Sequence, residues 1–414
     1  MKTLFKGLLG ATASAAMLAG PVQAENDDIT VGLLQDFTAV YTFVTDEYSQ
    51  GQQDYLNLVN ARGGIDGHMI NAVVRDTGNE PQRGIEAYNR VREEGAVLVD
   101  FLSTPVSRAN VNRVLNDEVV MITPLHGRGD ASDGETFPYV FPLMATYWSQ
   151  AALLIDYIDE HEGGIEGKNI AHVYIDSPFG REPVPVLEEL SERLNFNVRT
   201  FPYASPGTEQ SAVWSDIRRY RPDHVILWGA GGGQPVSIRE AIRNGIPVEN
   251  VLSVVWLAET DVDVVGRDRA TGVKRFEAVA TGRDYPIIQD ILDEVYAQGD
   301  GAGPEERVGT TYYNIGVATM AVAVEGMRIA MDEFGPPMTG DKLRQGMERI
   351  EEFDAQGMMP PVSFSEQDHQ GGGFGRVSQW DGENWEPVSD WSAAYQDIVW
   401  EEIEKDAAGF REGN

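Results

Sequence analysis

From residue 28 onward, short apolar runs alternate with longer segments whose apolar positions recur at helical spacing. DITVGLLQDF (28–37), MINAVVRDT (69–77), AVLVDFL (96–102) and VVMITP (119–124) read as strands. Between them, residues 48–62, 81–94 and 107–117 read as helices, the first closed by Gly63-Gly64. The rhythm restarts after a connecting stretch. Helices are predicted over 146–161, 181–195, 209–220 and 234–244, interleaved with strands over 169–176, 196–204, 224–229 and 250–256. Residues 305–332 form one long helical segment, and the chain from 360 onward is rich in Gly and Trp with short strand-like pieces. Alternation of this kind implies parallel strands with crossover helices on both faces of a sheet. Two successive series imply two doubly wound α/β lobes with a cleft between them.

Open α/β sheets bind ligands beyond the carboxyl ends of their strands. The informative loops are therefore those after Leu34, Leu102, Thr123, Ile175, Trp228 and Trp256. They share one character. Tyr41 and Phe43 stand in the first, Ser103, Thr104 and Ser107 in the second, and Leu125, His126 and Gly127 in the third. Phe179, Gly231, Trp256 and Glu259 follow in the others, and Tyr312 opens the long helical segment. Each alone is more often structural, since aromatics pack and acids are solvated. Together they describe aromatic walls with a few hydroxyl and carboxylate anchors, which is a small-molecule binding site. In the second loop, Ser107 is expected to cap its helix while Ser103 and Thr104 face the cleft.

Composition narrows the function classes. Residues 1–24 combine Lys2 and Lys6, an apolar stretch and Val22-Gln23-Ala24, the pattern of a secretory leader cleaved after Ala24. The chain contains no cysteine, which removes disulfides, thiol catalysis and a lipidated cysteine after the leader. A free periplasmic protein is the simplest expectation. The net charge of −34 becomes −36 once Lys2 and Lys6 leave with the leader, so nucleic acid and anionic membranes are disfavoured as partners. The six histidines fall in no metal-ligand spacing, and no nucleophile elbow or P-loop is present. Residues 229–233 (GAGGG) lack the dinucleotide fingerprint and read as a turn that lets another group approach the backbone. No enzyme, cofactor or metal is expected.

The order and spacing of several stretches carry a resemblance. These are DFTAVY, YLNLVNARGGIDGHMI, LSTPVSRA, IDSPFGRE, RPDHVILWGAGG, VWLAETDVDVVG, VGTTYYNIGVATMAVAVEGMRIA, and DHQGGG followed by QWDG. Over essentially the whole mature chain, they resemble the periplasmic substrate-binding proteins of ABC transporters of the branched-chain amino acid (Leu/Ile/Val-binding) class. The resemblance implies the type I periplasmic binding protein fold, in which a three-segment hinge joins the two lobes. It places 25–144 with 275–355 in one lobe and 145–274 with 356–414 in the other. It also implies a ligand carboxylate held by the Ser103-Thr104 loop and the Leu125–Gly127 loop, an aromatic lid at Phe179, and an ammonium paired with Glu259. An inner-membrane ABC permease is the implied partner of a monomeric receptor. The bulkier first loop (VYTFV) and Leu125-His126 depart from the family's pattern. Amino acids, small amides or urea, and aromatic carboxylates all remain open as ligands, and a ligand-sensing role is the alternative to transport.

Overall fold

A computed structural model describes residues 28–413. The leader assigned to residues 1–24 lies outside them. The first sheet has the order β2-β1-β3-β4-β5 and is parallel throughout. Its strands are β1 (Ile29–Gln35), β2 (Ile70–Asp76), β3 (Ala96–Asp100), β4 (Val120–Ile122) and β5 (Val140–Phe141). The second sheet follows with β6 (Asn169–Ile175), β7 (Asn197–Tyr203), β8 (His224–Trp228), β9 (Val251–Ser253), β10 (Lys274–Glu277), β11 (Arg376–Trp380) and β12 (Trp385–Pro387). Its order is β12-β11-β10-β9-β8-β6-β7, and only the pairings that involve β11 are antiparallel. The central strands are buried on both faces, which explains why they read as near-continuous apolar runs.

Each sheet anchors one lobe, and the chain passes between them three times: after β5, after β10 and before β11. The long helix Thr311–Phe334 belongs with the first lobe, where it crosses the helix Thr42–Ala61 at very close range. Glycine makes that approach possible. A Cβ on Gly51 would come within 2.2 Å of the Tyr313 carbonyl oxygen, and one on Gly316 within 2.1 Å of the Tyr48 carbonyl oxygen.

Two expected lobe boundaries shift. Residues 275–277 belong to the second sheet, because they complete β10 beside β9 and β11. The C-terminal helix Gln396–Gly413 touches both lobes: Arg193 pairs with Glu401, while Phe410 packs on Phe137 and Arg411 reaches Asp133 at 3.0 Å. Two helix starts shift as well. The first helix begins at Thr42 rather than near 48, because the Asp36 carboxylate accepts the N–H groups of Thr38, Ala39 and Tyr41 and folds the preceding loop into a compact turn. The 104–117 helix begins at Thr104, with Pro105 in its first turn.

Candidate functional site

The strand-end loops of the first lobe are set by buried carboxylates. Asp100, at the end of β3, accepts hydrogen bonds from the Tyr48 hydroxyl (2.8 Å), Gln52 (2.7 Å) and the Leu102 N–H (3.0 Å). The last of these holds Leu102 in a left-handed turn, φ 38°, that feeds directly into Ser103 and Thr104. Ser103, not Ser107, is the helix cap: its Oγ accepts from the Val106 N–H at 3.4 Å and donates to Asn79 Oδ1 at 2.7 Å. The Ser107 hydroxyl instead donates back to the Thr104 carbonyl, so it is spent inside the helix.

Where the carboxyl ends of the two sheets face each other lies a small, partly open cavity. The first lobe contributes Tyr41, Phe43, Val44, Leu102, Ser103, Thr104 and His126 to its wall. Tyr147, Ala230 and Trp256 come from the elements of the second lobe. Six of these are expected from the sequence: Tyr41, Phe43, Ser103, Thr104, His126 and Trp256. Val44, Leu102, Tyr147 and Ala230 are not. Ala230 and Leu102 are chain neighbours of residues that are, and Val44 is one helical turn beyond Tyr41. Tyr147 carried a weaker signal, as the first residue of a helix capped by Thr146 just where the chain changes lobes.

Aromatic groups form the second-lobe wall. The Trp256 indole N–H donates to the Tyr147 hydroxyl at 2.6 Å, and the Trp256 carbonyl accepts from the Tyr312 hydroxyl at 2.9 Å. Tyr312 therefore stands behind Trp256, in edge contact with Phe43 at 5.9 Å, rather than on the cavity surface. Phe179 is likewise a second layer, 5.2 Å from the Tyr147 ring and 6.4 Å from the Tyr41 ring. Leu125 is fully buried and gives its carbonyl to Gln150, and Gly127 lies against Thr123. Gly231 sits at the rim, where a Cβ would come within 3.0 Å of the Val40 carbonyl oxygen. The group that approaches its backbone is thus the opposite lobe.

Glu259 lies elsewhere. Its carboxylate accepts the Thr311 hydroxyl at 2.8 Å at the start of the long helix, and it faces a separate polar cleft with Thr281, Arg283 and Arg376. In this structure it is not part of the wall of the first cavity. An acid at a helix N-terminus is favoured by the unpaired N–H groups there, so its position has a local cause.

His126 is the most unusual wall residue. It is 3 % exposed, and both ring nitrogens lack a hydrogen-bond partner. Burial pushes the imidazole down to about 3, so at neutral pH it is uncharged and offers one N–H and one lone pair. Buried polar atoms are rarely left unpaired in a finished site.

The lobes also touch around the cavity. The Glu182 carboxylate, from the second lobe, takes the Gly129 N–H at 2.8 Å and pairs with Arg108, both of the first lobe. Among the described residues no helix is long and apolar enough to cross a membrane.

Comparison with known proteins places this geometry. Residues 28–384 match the profile of a family described as periplasmic binding protein. A protein called Leu/Ile/Val-binding protein homolog 3, from Brucella melitensis, is 27 % identical over 292 residues, covering 70 % of this chain and 78 % of its own. A crystal structure described as an ABC transporter permease from the Pseudomonas fluorescens group superposes with a TM-score of 0.86 at 34 % identity, covering 94 % of this chain and 98 % of that one. A branched-chain amino acid ABC transporter structure from Thermus thermophilus with bound valine has the same fold, with a TM-score of 0.79 at 19 % identity over 90 % and 98 % of the two chains.

Proposed function

Because the chain belongs to the periplasmic binding protein family, we propose that it is a receptor that captures a small organic solute between its lobes and presents it to an inner-membrane ABC permease. The observation that carries this reading is the shared cavity, whose wall draws residues from both lobes and beside which the lobes are in contact. A ligand that touches both halves binds the closed arrangement better than the open one. That differential affinity is what shifts the population toward closure. The closed form is then the species the permease selects. The branched-chain amino acid names carried by relatives support a solute with a carboxyl end and an apolar body. In this reading the chain works as an exported monomer in the periplasm, freed of its leader, and performs no chemistry on its cargo.

The polar end of such a solute belongs near Thr104 and His126, where the 104–117 helix begins. The test is a thermal-shift screen of branched-chain and aromatic carboxylates, amino acids, amides and urea, run with the double variant Thr104→Ala/His126→Ala alongside. A ligand specific to the folded state raises the melting temperature in proportion to RT ln(1 + [L]/Kd). At least one solute should raise it in the native protein and not in the variant. A shift of equal size in both proteins would place binding outside this cavity, and no shift with any solute would overturn the receptor role for these compounds.

A further inference from the structure

We propose that the ligand is a monocarboxylate with an aromatic or branched apolar body and no ammonium group; this narrows the receptor reading above and rests on it. The cavity wall is the starting point. Among the described residues that line it, none carries a carboxylate, and the only titratable nitrogen is the imidazole of His126. A ligand ammonium would therefore enter a largely aromatic space with no carboxylate on its wall.

The nearby acids are already engaged; Glu182 takes the Gly129 N–H and pairs with Arg108. Asp36 holds the loop N–H groups of Thr38, Ala39 and Tyr41. Asp261 accepts from the Ala258 N–H and from Gln234, both at 3.1 Å. Glu47 takes the Thr310 hydroxyl and Glu259 the Thr311 hydroxyl, each at 2.8 Å. Backbone carbonyls of the wall offer little more. Tyr41 O accepts two N–H groups, Ser103 O and Thr104 O accept from Ser107, and Trp256 O accepts from both Tyr312 and Gln234. An ammonium has three protons to place and loses its water on entry, so an unpaired one is strongly disfavoured.

A carboxylate meets the opposite situation. At the start of the 104–117 helix, Thr104 stands on the wall with its N–H and hydroxyl; Pro105 has no N–H, the Val106 N–H goes to Ser103 Oγ, and the Ser103 hydroxyl goes to Asn79. His126 adds a buried, unpartnered N–H donor, and the Tyr147 hydroxyl, which accepts from Trp256, keeps its own proton to donate. Tyr41, Phe43 and Trp256 then enclose an apolar body.

Matched pairs that differ only in the amino group test this directly. Purified full-length mature protein, freed of carried-over ligand by unfolding and refolding, is titrated calorimetrically with 4-methylpentanoate against leucine and with 3-phenylpropanoate against phenylalanine. The amide of each des-amino acid forms a third arm. The des-amino acid of at least one pair should bind on the order of 100-fold more tightly than its amino acid, the effect of a buried charged group without a partner. His126→Phe, which keeps an apolar ring and removes both nitrogens, should abolish most of that binding without lowering the melting temperature of the free protein. Equal or tighter binding of the amino acid overturns the inference while leaving the receptor role intact. Tighter binding of the amide overturns its anionic part. No binding by any member of either series removes the receptor reading for such carboxylates together with the inference.

Discussion

Glu182 offers the most direct handle on closure. Its side chain is 3 % exposed, whereas that of its partner Arg108 is 40 % exposed. The other bond, from the Gly129 N–H at 2.8 Å, is buried between the lobes. In Glu182→Ala, the Gly129 N–H loses its acceptor only when the lobes are shut, since the open form lets water replace it. An orphaned buried N–H costs about 1–3 kcal/mol. Arg108 adds little, because a cation that exposed recovers its hydration and the pair is screened. Taking about 2 kcal/mol, the closed-to-open ratio falls by a factor of about 30, and apparent ligand affinity falls with it. Arg108→Ala should cost less than about 1 kcal/mol by the same reasoning. Titration calorimetry gives the affinities, and solution scattering on the same samples gives the radius of gyration with and without ligand. An Arg108→Ala loss as large as that of Glu182→Ala would refute the assignment of the energy to the buried N–H. Unchanged affinity and unchanged scattering in both variants would refute the latch itself.

Two further perturbations probe the scaffold behind the site. Gly51→Ala forces a methyl group to within 2.2 Å of the Tyr313 carbonyl, so the two long helices must separate; a loss of about 1–3 kcal/mol or more is expected in denaturant unfolding, and a native-like midpoint would refute it. Glu47 is pushed up from its ordinary 4.5 to about 7, chiefly by burial, with Glu259 and Asp46 adding to the rise and Thr310 and Arg307 opposing it. A carboxyl raised on folding stabilises the native state fully below the unfolded value and loses that contribution as pH rises through about 7. Glu47→Gln should therefore flatten the decline in melting temperature between pH 5 and pH 8, and parallel profiles for the two proteins would count against the shift.

The alternation of strands and helices was readable along the chain because the central strands are buried on both faces and most helices keep an exposed face, the helix Thr311–Phe334 being buried nearly all round. Those periods differ enough to survive without tertiary information. Boundaries were harder where side chains compete for the same cap. Ser103, Thr104 and Ser107 all suit an N-cap; Ser107 was expected, whereas Pro105, which belongs in the first helical turn, fits the observed cap at Ser103. Six wall residues were legible because topology alone puts ligands beyond the carboxyl ends of strands. Tyr312 and Phe179 were legible as aromatic but not as second-layer groups. Their distance from the cavity surface is set by Trp256 and Tyr147, which arrive from other loops.

Glu259 shows why a residue's chemistry alone does not assign its role. Its carboxylate lies two residues beyond Leu257 in a strand-end loop, the place where an ammonium partner is wanted. What redirects it is Thr311, 52 positions away, whose hydroxyl also accepts from the buried Arg275 at 2.8 Å. That chain of bonds joins the end of β10 in the second lobe to the helix Thr311–Phe334 of the first. Glu47 meets the same helix end from the other side through Thr310. Two acids from different lobes therefore converge on one helix N-terminus, where partial positive charge favours both while their mutual repulsion raises Glu47. An arrangement of this kind sits at a crossing between the lobes. Moving either acid toward a ligand would undo its bond at that helix end. The negative charge that a ligand ammonium would need is thus held by the machinery of the lobe crossing, and the cavity is left to hydroxyls, an uncharged imidazole and aromatic rings.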